Sequence, residues 1–350
     1  MIIGTCGYIG TGSSAVTDLL KEYSDIYAYG PYEFALAYCP DGLEDLDYQL
    51  NTHITKHLSS SVALERFRRV CYFRVVRHMK TKEGRKKAED AVERYIESLV
   101  QVKWRGFGSF DHLLFYGKNY RKFNLESKIH LYQKRFARRK IIRFHENDRF
   151  SPVHTFEFSV RPEQFLEKTQ QFVSEILDIF GIDRKGIIAL DQPFTANDPM
   201  RSYKYFPDEC KAIVVDRDPR DKYVAAKYAR TVTADGFQTP VDNVKDFVEY
   251  YKKVRTRDRK EDDSVLRLSF EHMLYDYGDT VKRIENFCGI SRHDKPFEHF
   301  DPKKSIANTQ IYKRFPQWEE DIRYIEKELG DWLFPFEKYG DTVPDGKIFF

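Results

Sequence analysis

Residues 1–23, MIIGTCGYIGTGSSAVTDLLKEY, decide the fold. Met1 to Cys6 is a short apolar run broken by Gly4 and reads as a buried strand. Gly7 to Gly12 is a turn, and Ser13 to Tyr23 carries Val16, Leu19, Leu20 and Tyr23 at helical spacing. The order is strand, glycine turn, helix. From Gly7 the turn fits the phosphate-binding pattern G-x-x-x-x-G-K-[ST] at every fixed position but one, since Ser13 stands where the lysine belongs. A glycine turn beyond a strand lets backbone N–H groups close around an anion at the N-terminus of the next helix. Gly7, Gly10 and Gly12 supply the turn here, and Thr11, Ser13 and Ser14 add hydroxyl donors. That cradle works without a lysine. The lysine matters for nucleoside triphosphate chemistry, where it spans the β- and γ-phosphates, so its absence weighs against such a ligand. The bland alternative is a helix N-cap after a glycine turn.

Working outward, the second half of the chain alternates. Gly186–Leu190 (GIIAL), Lys211–Val215 (KAIVV) and Ser264–Ser269 (SVLRLS) read as strands, and Asp25–Tyr29 as a further one. Helical patterns occupy Arg220–Ala229, Val241–Val254 and Asp279–Phe287. Strands separated by helices predict an α/β fold, a three-layer parallel sheet covered by helices. Between the two ends, helical patterns run over 53–104, including Lys82–Val100, over the basic-aromatic stretch 118–143, and over Arg161–Phe180. No repeat or linker separates them. The expectation is one domain, 1–350, with a helical insertion at roughly 50–180.

Composition narrows the function classes. Lys and Arg number 58 against 55 Asp and Glu, so a formal charge of +3 gives no general attraction to nucleic acid or anionic membranes. Five cysteines, at 6, 39, 71, 210 and 288, are odd in number and never in a C-x-x-C pair, which argues against a disulfide framework and a cysteine-rich zinc site. No apolar run approaches the roughly 18 residues that span a bilayer, and no signal-peptide pattern opens the chain. A cytoplasmic protein with no stable membrane insertion is expected.

A second anion motif follows the KAIVV strand: D216-R217-D218-P219-R220-D221. Arginines at the carboxyl end of a parallel strand share the crevice of the first loop, and a guanidinium matches phosphate geometry. Alternatively, these charges simply pair with one another. Taken together, G10-T11-G12-S13-S14 and R217-D218-P219-R220-D221, in this order, resemble the two nucleotide motifs of the sulfotransferase family, which uses 3′-phosphoadenosine 5′-phosphosulfate (PAPS). Residues 269–290 and 300–333 are similar to that family's later segments, the second carrying its S-x-x-N. The family's loop has Ser or Thr in place of the lysine.

The resemblance implies a P-loop NTPase-like sulfotransferase topology and transfer of a sulfonate from PAPS, with no metal, to a hydroxyl acceptor, a glycan among the candidates. It implies that Gly10, Thr11, Gly12, Ser13 and Ser14 hold the 5′ side of the nucleotide and Arg217 and Arg220 the 3′-phosphate. Two family positions differ: a basic loop residue aligns with Gly10, and a serine with Ala225. Lys222, Lys227, Lys313 and Arg314 are nearby substitutes, the last two counted among the nucleotide-binding candidates. Glu33 resembles the family's carboxylate base; otherwise it is a glutamate opening a helix after Pro31. His112 is a weaker base candidate, stretch 118–143 lines an acceptor groove or is a solvated helix, and His53 and His57 have helical metal-pair spacing without an acidic partner. Two other readings stay open. The chain is an inactive nucleotide-binding relative, or Asp216 and D216-R-D218 mark a metal-dependent P-loop kinase or glycosyltransferase.

Overall fold

The computed structural model describes residues 1–53, 59–107, 132, 153–182, 185–232 and 239–339. The chain divides into two compact units, one formed by Met1–Tyr38 and Phe180–Phe350, the other by Cys39–Ile179.

The first unit is built on a five-stranded sheet. Strand β1 is Ile2–Gly7, and helix α1, Ser13–Leu20, follows the glycine loop. Strand β2 is Ile26–Glu33. The second unit intervenes with α2 (Leu43–Asp47), α3 (Ser59–Arg74), α4 (Lys82–Leu99), β3 (Val102–Phe107), β4 (Val153–Phe158) and α5 (Phe165–Ile179). The first unit resumes with β5 (Ile187–Asp191), α6 (Met200–Tyr203), β6 (Cys210–Asp216), α7 (Pro219–Val232), α8 (Val244–Arg255) and β7 (Val265–Ser269). It closes with α9 (His272–Tyr275), α10 (Tyr277–Cys288), α11 (Pro302–Ser305) and α12 (Glu319–Glu328).

The strand order is β2-β5-β1-β6-β7 and every described pairing in this sheet is parallel. β1 is central and buried on both faces: Ile2, Ile3, Thr5 and Cys6 have no exposure. That explains its lack of a polar alternation, since a strand covered on both sides has no solvent-facing side to present. On one face Ile3, Ala189, Ile213 and Leu266 pack with Val16, Leu19 and Leu20 of α1 and with Ile284 of α10. On the other, Gly4 lies so close to Phe194 that a Cβ would sit 2.4 Å from its ring, so a side chain there would have to displace it.

One boundary differs from the expectation. β2 does not stop at Tyr29 but continues through Gly30 and Pro31 to Glu33, with a register shift between Tyr29 and Glu33. β2 is an edge strand, where a proline's missing N–H removes no ladder bond, so Glu33 ends a strand and opens no helix.

The second unit holds its own core, where Phe67, Tyr95 and Phe172 pack with centroids 4.5–6.0 Å apart and Tyr95 bonds Thr169 through its hydroxyl at 2.7 Å. The sequence reading made this region helical. The structure adds an antiparallel ribbon, β3–β4, registered from Val102↔Phe158 to Phe107↔Val153. His57, His112 and stretch 118–143 apart from the exposed Tyr132 lie outside the described residues, and His53 stacks on Tyr48. All five cysteines are buried, and none is in a disulfide. No described helix is long and apolar enough to cross a membrane.

Candidate nucleotide site

Two loops leave the sheet side by side. β1 and β6 are neighbours with Gly7 opposite Val215, so the glycine loop and the RDPRD turn start from the same level at the carboxyl edge. Thr11 ties them together: its hydroxyl donates to the Val215 carbonyl at 2.7 Å and accepts from the Tyr8 N–H at 2.9 Å. The loop then turns through Ile9, Gly10 and Gly12, all at positive φ (35°, 73° and 90°). At Gly12, a Cβ would also lie 2.5 Å from the Phe270 ring. Glycine is required there twice over, by conformation and by space. Gly12 caps α1 with no side-chain bond and the first turn holds no acidic residue, which leaves first-turn N–H groups available to an anion.

Arg217 comes from the neighbouring strand. Its guanidinium reaches the Gly10 carbonyl at 3.4 Å and the Asn308 carbonyl at 2.5 Å, and lies 5.4 Å from the centre of the Phe270 ring. Its buried Nε has no hydrogen-bond partner. Between loop and turn opens a cleft of about 530 Å³, within the range of small-molecule sites. It is lined by Gly10, Gly12, Ser14, Ala15 and Asp18 from the loop and α1, by Arg217, Ala225 and Phe270, and by residues 297–301 with Lys304, Ser305 and Asn308.

Of the residues singled out in the sequence, Gly10, Gly12, Ser14 and Arg217 therefore share one cleft. Thr11 and Ser13 are buried beneath it, Ser13 accepting from the Gln192 side chain at 2.8 Å. Arg220 points elsewhere. Its guanidinium holds both Asp218 oxygens (3.0 and 2.8 Å) and Glu326 (2.9 Å), and packs 4.4 Å from the Tyr312 ring. Of the nearby cations, Lys222 is buried with its ammonium on the Tyr8 carbonyl at 2.8 Å, Lys227 pairs with Asp321 at 2.6 Å, and Lys313 donates to Gln310 at 2.8 Å. Neither these three nor Arg314 lines the cleft. The basic side chains that do, besides Arg217, are His299 and Lys304. Lys304 adjoins the S-x-x-N segment, whose Ser305 and Asn308 line the same space, and that motif is the sequence signal for this part of the cleft.

The carboxylates of the DRD stretch are engaged. Asp216 takes two bonds from Arg255 at 2.8 and 2.6 Å, and Asp218 is held by Arg220 and the Phe334 N–H. Both halves of the D-x-D are thus committed to guanidinium groups, which weighs against its use as a metal site. Beneath the turn, Asp221 accepts from the Gln310 and Tyr312 N–H groups at 2.7 and 3.2 Å and fixes the segment after Asn308. Burial pushes Asp221 up to about 7. Glu271 accepts from the Asp218 N–H at 2.9 Å, and burial, then the Asp218 charge, push it up to about 8. Lys222 moves the other way, down to about 7, through burial and then the Arg255 charge.

Glu33 is exposed at the carboxyl edge, in register with Asp191 at the end of β5. Asp191 was not legible as a site residue. One of its buried oxygens, Oδ1, has no partner, and burial, followed by the charges of Glu33 and Asp18, pushes it up to about 7. Asp18 also lines the cleft, and the side chain of Gln192, next in sequence to Asp191, touches both Gly7 and Ser13 of the loop. A carboxyl group near neutrality is suited to proton transfer, but neither Asp191 nor Glu33 is among the residues that line the cleft.

No family model and no curated protein matches the sequence. Among solved structures, the chain is similar to a sulfotransferase domain from the curacin biosynthetic pathway, at 12% identity over 94% of this chain and 96% of that one, with a TM-score of 0.38.

Proposed function

We propose that the chain is a sulfotransferase that carries a sulfonate group from PAPS to an acceptor hydroxyl, a carbohydrate being the candidate class. The observation that carries this reading is the convergence of two motifs more than 200 residues apart in sequence, with the Arg217 guanidinium 3.4 Å from the Gly10 carbonyl on one nucleotide-sized cleft. The first-turn N–H groups of α1 and the Ser14 hydroxyl are donors for the 5′-phosphosulfate, and Arg217, with Ser305 and Asn308 beside it, for the 3′-phosphate. In the reaction the acceptor oxygen forms a bond to sulfur, the bond from sulfur to the phosphate oxygen breaks, and 3′,5′-ADP leaves. The acceptor proton passes to the Glu33–Asp191 pair, Asp191 being the better matched because its pKa lies near 7. Positioning and electrostatic stabilisation supply the rest, as in phosphoryl transfer.

Calorimetric titration with 3′,5′-ADP, followed by turnover of PAPS on a panel of glycan and small hydroxyl acceptors, tests the proposal. Absence of nucleotide binding sinks it. A second reading has a specific observation behind it: position 10 offers no side chain and Ala225 lines the cleft with a methyl group, so the site is also suited to binding the nucleotide without transfer. Binding with no turnover on any acceptor selects that reading. Loss of activity in EDTA would instead support metal-dependent transfer.

A further inference from the structure

We infer that Glu22, two residues past the end of α1, is a positioning residue that holds the 297–300 lining of the cleft in its nucleotide-binding geometry. The inference rests on reading the cleft as the nucleotide site. Glu22 has no solvent exposure, yet it is ionisable, and it lies past the end of α1 remote from the glycine loop. Its Oε1 accepts from two consecutive backbone amides, His299 at 2.9 Å and Phe300 at 2.8 Å, and its Oε2 meets the His293 Nε2 at 2.6 Å. Its own carbonyl accepts from the Lys295 N–H at 3.2 Å. The next two residues repeat the grip. Tyr23 stacks on the His293 ring at 4.6 Å and pairs with its backbone, and Ser24 bonds the Asp294 carboxylate through its backbone N–H. Segment 293–300 is thus anchored to the C-terminal end of α1, and its last residues, Phe297 to Phe300, line the cleft.

The physical consequence is that one short helix bears on two parts of the cleft lining. Ser14, Ala15 and Asp18 in the helix line it directly, and the residues just past its last turn fix segment 297–300, which lines it too. A buried carboxylate needs donors to stay ionised; burial acts against the charge, but the bonds from His293 and the two amides outweigh it and hold Glu22 below the usual carboxylate range. Those bonds are specific to an oxygen at one point. A side chain of the same volume without an acceptor leaves the buried Phe300 amide and the part-buried His299 amide without this partner, and the segment must move to satisfy the buried one. Preorganised walls raise affinity because the ordering is complete before the ligand arrives.

The test compares Glu22→Gln, which keeps the Oε1 acceptor, with Glu22→Met, which keeps only the volume. Two readouts are taken: calorimetric affinity for 3′,5′-ADP and hydrogen exchange at the His299 and Phe300 amides. The expected result is at least tenfold weaker binding and at least tenfold faster exchange at those two amides in Glu22→Met, both largely restored in Glu22→Gln, with exchange in β1 unchanged. Equal binding by Glu22→Met and the wild type, unchanged exchange at 299 and 300, or equal impairment of both variants overturns the inference. If Glu22→Met fails to fold, the wild type decides: saturating 3′,5′-ADP must slow exchange at the same two amides, by the reciprocity of linked equilibria, and unaltered rates reject the link. A wild type that binds no 3′,5′-ADP refutes the nucleotide reading, whereas a wild type that binds and a Met variant that binds equally refutes only the role of Glu22.

Discussion

Replacing Arg217 and Arg220 by alanine separates the two arginines of RDPRD by mechanism. Arg217 lines the cleft, with its Nε unpartnered and its remaining donors on two backbone carbonyls. A hydrogen bond to a charged group is worth about 1.5–3 kcal/mol, so Arg217→Ala should weaken 3′,5′-ADP binding roughly tenfold to a little over a hundredfold. Its own carbonyl bonds have a charged donor too, but one is 3.4 Å long and exposed, so losing both costs about 1.5–3 kcal/mol in total and the melting temperature should fall by only a few degrees. Arg220 inverts that pattern. Its side chain is 10% exposed, and its partner Asp218 is fully buried and also accepts from the Phe334 N–H. Truncation leaves a buried carboxylate without its cation, a loss of roughly 3–5 kcal/mol and a large part of a domain's usual 5–15 kcal/mol. Arg220→Ala should therefore melt roughly 5 °C lower or more, while the fraction that remains folded binds nucleotide with near wild-type affinity. Differential scanning fluorimetry and calorimetry on both variants provide the assay. Arg217→Lys is the internal control: it keeps the charge, loses the planar fork, and should fall between wild type and alanine. Weaker binding in Arg220→Ala at a temperature where it is fully folded, together with unchanged binding in Arg217→Ala, would refute the assignment of the cleft.

Further outcomes follow from the same geometry. Gly12→Ala places a β-carbon 2.5 Å from Phe270 at a φ of 90°, and the left-handed conformation alone costs an L-residue about 1–2 kcal/mol, so calorimetry and thermal melts should show both weaker 3′,5′-ADP binding and lower stability. With Asp191 as base, kcat/KM in the wild type should rise with pH through about 7, and Asp191→Asn should lower kcat by roughly a hundredfold or more while leaving nucleotide affinity in place; a flat pH profile rejects the role. Glu33→Gln removes a like charge beside Asp191, so the rising limb of that profile should move to lower pH, and a shift upward would contradict the pairing. For Glu271, the folded pKa of about 8 lies above the ordinary 4.5, so the folded chain holds a proton that the unfolded chain has released and stability falls as pH rises between those values. Glu271→Gln should flatten that part of the urea-denaturation profile; an unchanged slope between pH 5 and about 8 would count against the buried acid.

The framework was legible because its signals are local. The Met1–Cys6 run, the glycines at 7, 10 and 12 and the period of Val16, Leu19 and Leu20 announce β1, the loop and α1 without any distant partner. The site was only half legible, because sequence reports which side chains exist and not where they point. Arg217 and Arg220 look equivalent in RDPRD. Pro219 starts α7 between them, leaving the first in the turn and carrying the second onto a helix that faces Glu326. Asp191 was hidden for another reason. It ends an apolar strand, and its raised pKa comes first from burial and then from Glu33 across the strand pair, neither of which is visible before the sheet is assembled.

The basic residue that the resemblance expects at position 10 has a physical account of the same kind. Gly10 sits at φ 73°, where a lysine or arginine would carry a strain of about 1–2 kcal/mol in the loop that must close around the anion. A glycine there keeps the backbone relaxed but brings no charge. The nearest guanidinium reaches the Gly10 carbonyl from β6, because β1 and β6 are neighbours in register and Arg217 is the second residue beyond Val215. The strand pairing thus brings Arg217 to the position where the loop itself carries no cation. A Gly10→Lys substitution should accordingly lower stability without raising nucleotide affinity, since the new side chain adds strain at a carbonyl that Arg217 already covers; tighter 3′,5′-ADP binding by that variant would show that the cleft lacks a cation after all.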